Sequence, residues 1–146
     1  LFKEHLTDPF LVINGDILTN LDFKELRDFH AAEKAYMTVV TKAITIPLRY
    51  GLVNTIENKI QSIQEKPDMV ADIIAGIYYC DPKILDYIPE NSFFTMIDLL
   101  HLLLREQKPL ARYHLKDYWL DIGNMEDYEK AQDLYSQGVF ANKDNG

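Results

Sequence analysis

The chain has 146 residues, 47% hydrophobic and 26% charged, enough for one domain with a sizeable core. Its net charge of −8 excludes a basic nucleic-acid-binding face, although it leaves open the local binding of a phosphorylated ligand. Cys80 is the only cysteine, so no intramolecular disulfide can form, and a reducing, cytoplasmic setting is expected. No apolar run approaches the ~18 residues that span a membrane, and no signal-peptide pattern is visible. The chain opens at Leu1 without methionine, as a segment of a longer protein would.

The residues before Asp8-Pro9 read as the tail of a helix, because proline disfavours helix in the residue preceding it. Phe10-Leu11-Val12-Ile13 is a continuous apolar run, expected to be a strand buried on both faces of a parallel sheet. Asn14-Gly15-Asp16 ends it. A helix follows, capped by Asn20 or Asp22, with Leu21, Phe23, Leu26 and Phe29 inward. Residues 36–43 form a second strand, rich in β-branched side chains. Strands over 51–56 and 59–64 flank Glu57-Asn58 as a hairpin turn. A further strand covers 73–80, and Pro82 starts a short helix to about Ile88.

Residues 94–106 predict a helix with Met96, Leu99, Leu100 and Leu103 inward, and 110–115 and 118–122 are extended. Asn124 caps a last helix, with Glu126 and Asp127 in its first turn. Met125, Tyr128, Ala131 and Leu134 form its apolar stripe, and Gly138 ends it. The tail after residue 140 is expected to be disordered. Strands interleaved with helices indicate an α/β fold, and the hairpin makes the sheet mixed.

Three constellations carry chemistry. Asn14-Gly15-Asp16 follows a buried strand, at the edge where open α/β sheets bind ligands. Aspartate there can hold a hard cation and glycine admits a close ligand, although Gly-Asp also makes plain turns. Glu65-Lys66-Pro67 ends a hairpin strand. Its carboxylate can accept from hydroxyls and its ammonium can meet a phosphate, or the two can be a solvated pair before a turn. In Trp119-Leu120-Asp121-Ile122-Gly123, alternation puts Trp119, Asp121 and Gly123 on one face. Asp121 is a second candidate metal ligand, and Trp119 is either site or core.

In order along the chain, Gly15-Asp16, Tyr50-Gly51-Leu52-Val53, Glu65-Lys66-Pro67, Ala75-Gly76-Ile77-Tyr78, Phe94-Thr95-Met96-Ile97-Asp98 and Trp119-Leu120-Asp121-Ile122-Gly123 resemble the sugar-phosphate nucleotidyltransferases. That family includes the glucose-1-phosphate thymidylyltransferases and mannose-1-phosphate guanylyltransferases. The resemblance runs from about Pro9 to about Gly138 and implies the C-terminal portion of a Rossmann-like nucleotidyltransferase domain. It implies Mg²⁺ held by Asp16 and Asp121, Lys66 on the sugar phosphate and Glu65 on sugar hydroxyls. Gly51 and Gly76 would bring backbone close to the sugar, Trp119 would line its pocket, and Gly15 and Tyr50 fall in substrate-binding motifs. Asp98 would lie nearer the pocket wall.

The implied reaction is Mg²⁺-dependent nucleotidyl transfer from a nucleoside triphosphate to a hexose 1-phosphate, with release of pyrophosphate. Nucleic acid and membrane are not expected partners, whereas a homo-oligomer is compatible. Two departures stand out. Asn124 replaces the usual threonine, and the family's glycine-rich triphosphate loop has no counterpart among the 6 scattered glycines. Residues 1–140 are therefore expected to be a partial domain, inactive alone, with the apolar strand at 10–13 unpaired on one side. A non-catalytic sugar-phosphate-binding regulatory module and a ligand-free remnant would share these motifs. A glycine-rich loop upstream would favour the enzyme.

Overall fold

The computed structural model describes residues 5–140. Eight strands, three α-helices and one 3₁₀ helix follow in the order β1 (Phe10–Ile13), β2 (Ile17–Thr19), α1 (Phe23–Glu33), β3 (Met37–Pro47), β4 (Leu52–Ile56), β5 (Lys59–Gln64), β6 (Asp68–Cys80), the 3₁₀ helix Pro82–Tyr87, α2 (Met96–Arg105), β7 (Leu110–His114), β8 (Trp119–Asp121) and α3 (Met125–Ser136). The central sheet has the order β1-β6-β3-β7. It is mixed as expected: β1 and β3 run antiparallel to β6, and β7 runs parallel to β3. β4 with β5, and β2 with β8, form separate antiparallel pairs.

Alternation along β3 and β6 divides the core between the two sheet faces. On one face Met37, Val39, Tyr78 and Cys80 pack with Ile84 and with Leu99, Leu100 and Leu103 of α2. On the other, Val40, Ala75 and Ile77 pack with Leu21, Leu26 and Leu115. The result is a three-layer α/β arrangement. Burying the fully enclosed Leu26 side chain contributes about 2 kcal/mol by area.

Local chemistry sets the helix boundaries. The Asp22 carboxylate accepts from the Lys24 and Glu25 N–H groups at the start of α1. Thr95 and Asp98 form a reciprocal capping box on α2, and Asn124 accepts from Asp127 N–H at the start of α3. Gly138, in the left-handed region at φ 74°, ends α3.

Several expectations need correction. β1 is not a two-sided parallel strand: it pairs antiparallel with β6 at the edge of the described sheet, and Leu11 and Ile13 are exposed. Its Phe10 and Val12 alone pack on the core. Residues 5–9 are turn and irregular backbone, while the start of the expected leading helix and the tail after residue 140 lie outside the described residues. Phe23, at the first position of α1, points outward at 41% exposure. In α3 only Ala131 is buried, and Met125 and Tyr128 are exposed. β3 and β6 both extend beyond the expected limits, because their outer halves pair with each other from Thr41↔Ile74 to Pro47↔Asp68.

Candidate functional site

The loop after β1 meets the end of β8. Asn14, Gly15 and Asp16 turn the chain, and Ile17 N–H closes the turn onto Asn14 C=O at 3.4 Å. β2 then pairs with β8, Ile17 opposite Asp121, and Ile122 N–H donates to Asp16 C=O at 2.9 Å. Asp16 and Asp121, from opposite ends of the chain, thus lie on backbone segments bonded to each other. Both are exposed, and no described residue forms an ion pair with either. Among the described residues no group of three or more His, Cys, Asp or Glu is arranged to hold a metal unaided. A Cβ at Gly15 would meet nothing within 4 Å, so its near side is open space.

Both acidic segments are registered on β6 at a bulge. β3 takes two steps from Val39 to Thr41 while β6 takes four from Tyr78 to Ile74, and Gly76 within that span adopts φ 70°. Gly76 C=O accepts from Asn14 N–H at 2.9 Å. The neighbouring Ala75 C=O accepts from the Trp119 indole N–H, also at 2.9 Å. Trp119 is half-buried against the α1-side core, so its polar edge is engaged within the protein.

The expected sugar-side residues form a second group on the β4–β5 hairpin. Gly51 lies under Glu65: a Cβ at Gly51 would sit 3.3 Å from Glu65 Oε2. Lys66 adopts the left-handed φ of 44°, which costs a non-glycine residue about 1–2 kcal/mol, and its ammonium is 3.9 Å from Glu65 Oε1. Tyr50 precedes them at 80% exposure. Gly76 does not share their immediate contacts, since the nearest atoms to its missing Cβ belong to Asn14. Asp98 is occupied in the α2 cap, where Thr95 N–H and hydroxyl donate to its Oδ2 at 2.8 and 2.6 Å. Those bonds hold its carboxyl below the ordinary carboxylate range.

Two clefts lie elsewhere. One, of about 570 Å³, has His30, Lys34, Tyr79 and Lys83 in its lining. The other, of about 410 Å³, includes Glu25, Tyr113 and Lys116. None of the candidate site residues named from sequence lines either cleft. His30 is buried with Nδ1 2.8 Å from Thr38 Oγ1, and burial lowers its pKa. Burial pushes the enclosed Cys80 thiol up to about 12, which makes it inert as a nucleophile.

A polar cluster that sequence reading missed joins three strands. Arg112 bonds Asp72 and donates from Nε to Thr41 Oγ1 at 3.0 Å, and His114 Nδ1 lies 3.8 Å from Asp72. Its members come from β3, β6 and β7, so no linear spacing announces it. Asn14 also escaped notice as more than a turn residue. Its signal was glycine inside the strand pattern at position 76, which marks a bulge or a close approach.

The chain is similar to known proteins of one family. A profile for the family described as "Nucleotidyl transferase" matches residues 1–138. The mannose-1-phosphate guanyltransferase of Candida albicans is 34% identical over 132 residues, 87% of this chain and 36% of that protein. The UTP–glucose-1-phosphate uridylyltransferase of Synechocystis is 33% identical over 138 residues, 89% of this chain and 36% of that protein. The chain therefore spans little more than a third of these curated relatives. UTP-bound UGPase from Acinetobacter baumannii superposes with a TM-score of 0.65 at 19% identity, covering 97% of this chain and 55% of that one. HddC from Yersinia pseudotuberculosis gives 0.62 at 25%, covering 92% and 59%.

Proposed function

Because this chain belongs to the nucleotidyl transferase family, we propose that the protein carrying it makes a nucleotide sugar from a nucleoside triphosphate and a hexose 1-phosphate. An oxygen of the sugar phosphate attacks the α-phosphorus, the α–β phosphoanhydride bond breaks, and pyrophosphate leaves. The observation that carries this reading is the meeting of Gly15-Asp16 with Asp121-Ile122 through the β2–β8 pair, within a chain matched by the family profile from end to end of its motifs.

The two carboxylates suit Mg²⁺: they are hard oxygen donors on adjacent segments, exposed, and without a cation from the described residues. When bound, Mg²⁺ would neutralise charge on the α-phosphate, completing its shell with water and phosphate oxygens. Lys66 offsets charge on the attacking phosphate. Glu65, held above Gly51, accepts from sugar hydroxyls, with Tyr50 and the Gly51 backbone beside it. Open space at Gly15 supports close approach of a phosphate to the backbone. Trp119 stands two residues before Asp121, and its half-buried ring supports that segment from the core side. Buried, unpaired Cys80 is compatible with a cytoplasmic setting.

Such transfers depend on positioning and charge neutralisation. The triphosphate loop that the family uses has no match in these 146 residues, so turnover is assigned to the full-length protein and not to this chain alone. Pyrophosphate release is measured across a panel of nucleoside triphosphates and hexose 1-phosphates. Turnover with at least one pair is expected, and Asp16→Asn or Asp121→Asn should each lower kcat about 100-fold or more. Full activity in both variants refutes the assignment. Robust turnover by the isolated 146-residue chain refutes the division of labour.

A further inference from the structure

Gly76 stands within a strand at φ 70°, and a Cβ there would lie 2.8 Å from Asn14 Nδ2 and 3.1 Å from Asn14 Cγ. A Cβ could be placed there only if the Asn14 amide moved aside, so the glycine leaves a notch that the Asn14 side-chain amide occupies. Asn14 is held by two backbone bonds, its N–H on Gly76 C=O and its C=O under Ile17 N–H, and its side-chain amide lies against Gly76. The last bond encloses Gly15 and Asp16. One residue away, Ala75 C=O takes the Trp119 indole N–H and fixes β8, two residues before Asp121. The Ala75–Gly76 bulge is therefore a common anchor for both acidic segments.

We infer that Asn14 and Gly76 are positioning residues for the acidic pair: the side chain of Asn14, seated in the notch at Gly76, sets where the Asp16 carboxylate stands relative to Asp121. The inference rests on the reading of Asp16 and Asp121 as divalent-cation ligands. It assigns Gly76 a partner within the protein, where the family resemblance implied a contact with the sugar. The physical reason is that Asp16 lies in a three-residue turn. Such a turn has few bonds of its own, and its orientation is inherited from the residue that anchors it. Outer-shell groups of this kind typically tune metal affinity by one to two orders of magnitude, without touching the ion.

Mn²⁺ is the probe, titrated by electron paramagnetic resonance against the full-length protein without nucleotide, alongside thermal melting. Asn14→Ala should raise the Mn²⁺ dissociation constant about tenfold. Gly76→Ala should do the same and also lower Tm, from the collision and from the left-handed backbone. Because both act on one contact, Gly76→Ala/Asn14→Ala should bind Mn²⁺ no more weakly than Gly76→Ala alone. Val12→Ala, on the core side of β1, lowers Tm and should leave Mn²⁺ affinity unchanged. Unaltered affinity in Asn14→Ala overturns the inference. So does equal weakening by Val12→Ala, which would reduce the effect to general destabilisation. Asp16→Asn separates the two claims: if it weakens Mn²⁺ binding and Asn14→Ala does not, only the positioning role fails. If Asp16→Asn has no effect, or the unaltered protein binds no Mn²⁺, the ligand assignment fails and the inference falls with it.

Discussion

Replacing Trp119 with phenylalanine separates two roles for this side chain. Its indole N–H donates to Ala75 C=O at 2.9 Å, and Ala75 is fully buried. Phenylalanine keeps most of the ring but cannot donate, so a buried carbonyl is left without that partner, at a cost of about 1–3 kcal/mol. The smaller ring also forfeits apolar contact with the α1-side core. Trp119 is only half-buried, so this adds about 0.5–1 kcal/mol. A total of about 1.5–4 kcal/mol should lower Tm by roughly 3–16 °C for a domain of this size. Far-UV circular dichroism is the assay, since the substitution removes the chain's only tryptophan. A Tm within ~1 °C of the unaltered protein, together with a raised KM for the sugar phosphate, would refute the anchoring argument and leave Trp119 as a substrate-facing ring.

Burial depresses the His30 pKa below its ordinary 6.5, so the unfolded chain takes up that proton first as pH falls. The stability is then present in full above about pH 6.5 and declines below it. His30→Leu should flatten the Tm–pH curve in that acid window, and an unchanged slope would count against the assignment. Glu65→Ala in the full-length protein should lower kcat/KM for the hexose 1-phosphate at least about tenfold while sparing the KM for nucleotide; equal losses for both substrates would place Glu65 elsewhere. The 146-residue chain should self-associate through β1, an apolar edge without charge or proline. Leu11→Lys should restore the monomer mass by light scattering, and a monomeric starting chain would remove the premise.

What could be read from sequence was what neighbours in sequence decide. Glu57-Asn58 sits between two alternating runs, and β4 and β5 pair across it as expected. Asp22, Asn124 and Gly138 mark helix ends because caps are local. The motifs of the resemblance pointed to the family that the comparisons show. What escaped depended on distant partners. Phe10–Ile13 reads as doubly buried from composition, yet Leu11 and Ile13 are exposed because only the face of β1 that carries Phe10 and Val12 packs on the core among the described residues. The outer halves of β3 and β6 were invisible because Asp68 and Asp72 interrupt the apolar pattern while pairing continues through them. The notch at Gly76 and the cluster around Arg112 join residues from separate strands, and no window along the chain contains both sides of either contact.

The β2–β8 pair has a consequence for how the molecule assembles. It joins strands of three residues each, roughly a hundred positions apart, one near the beginning of the chain and one near its end. Closing so long a loop costs entropy that three residue pairs repay only after β6 is in place to receive Asn14 and Trp119. The longer ladder between β3 and β6 closes a shorter loop, so the β2–β8 pair is expected to form after it. By the same logic it should open first, with amide hydrogens of β2 and β8 exchanging with solvent before those of the central strands. The two acidic segments are thus expected to join late, on a β3–β6 ladder whose own pairing does not involve them.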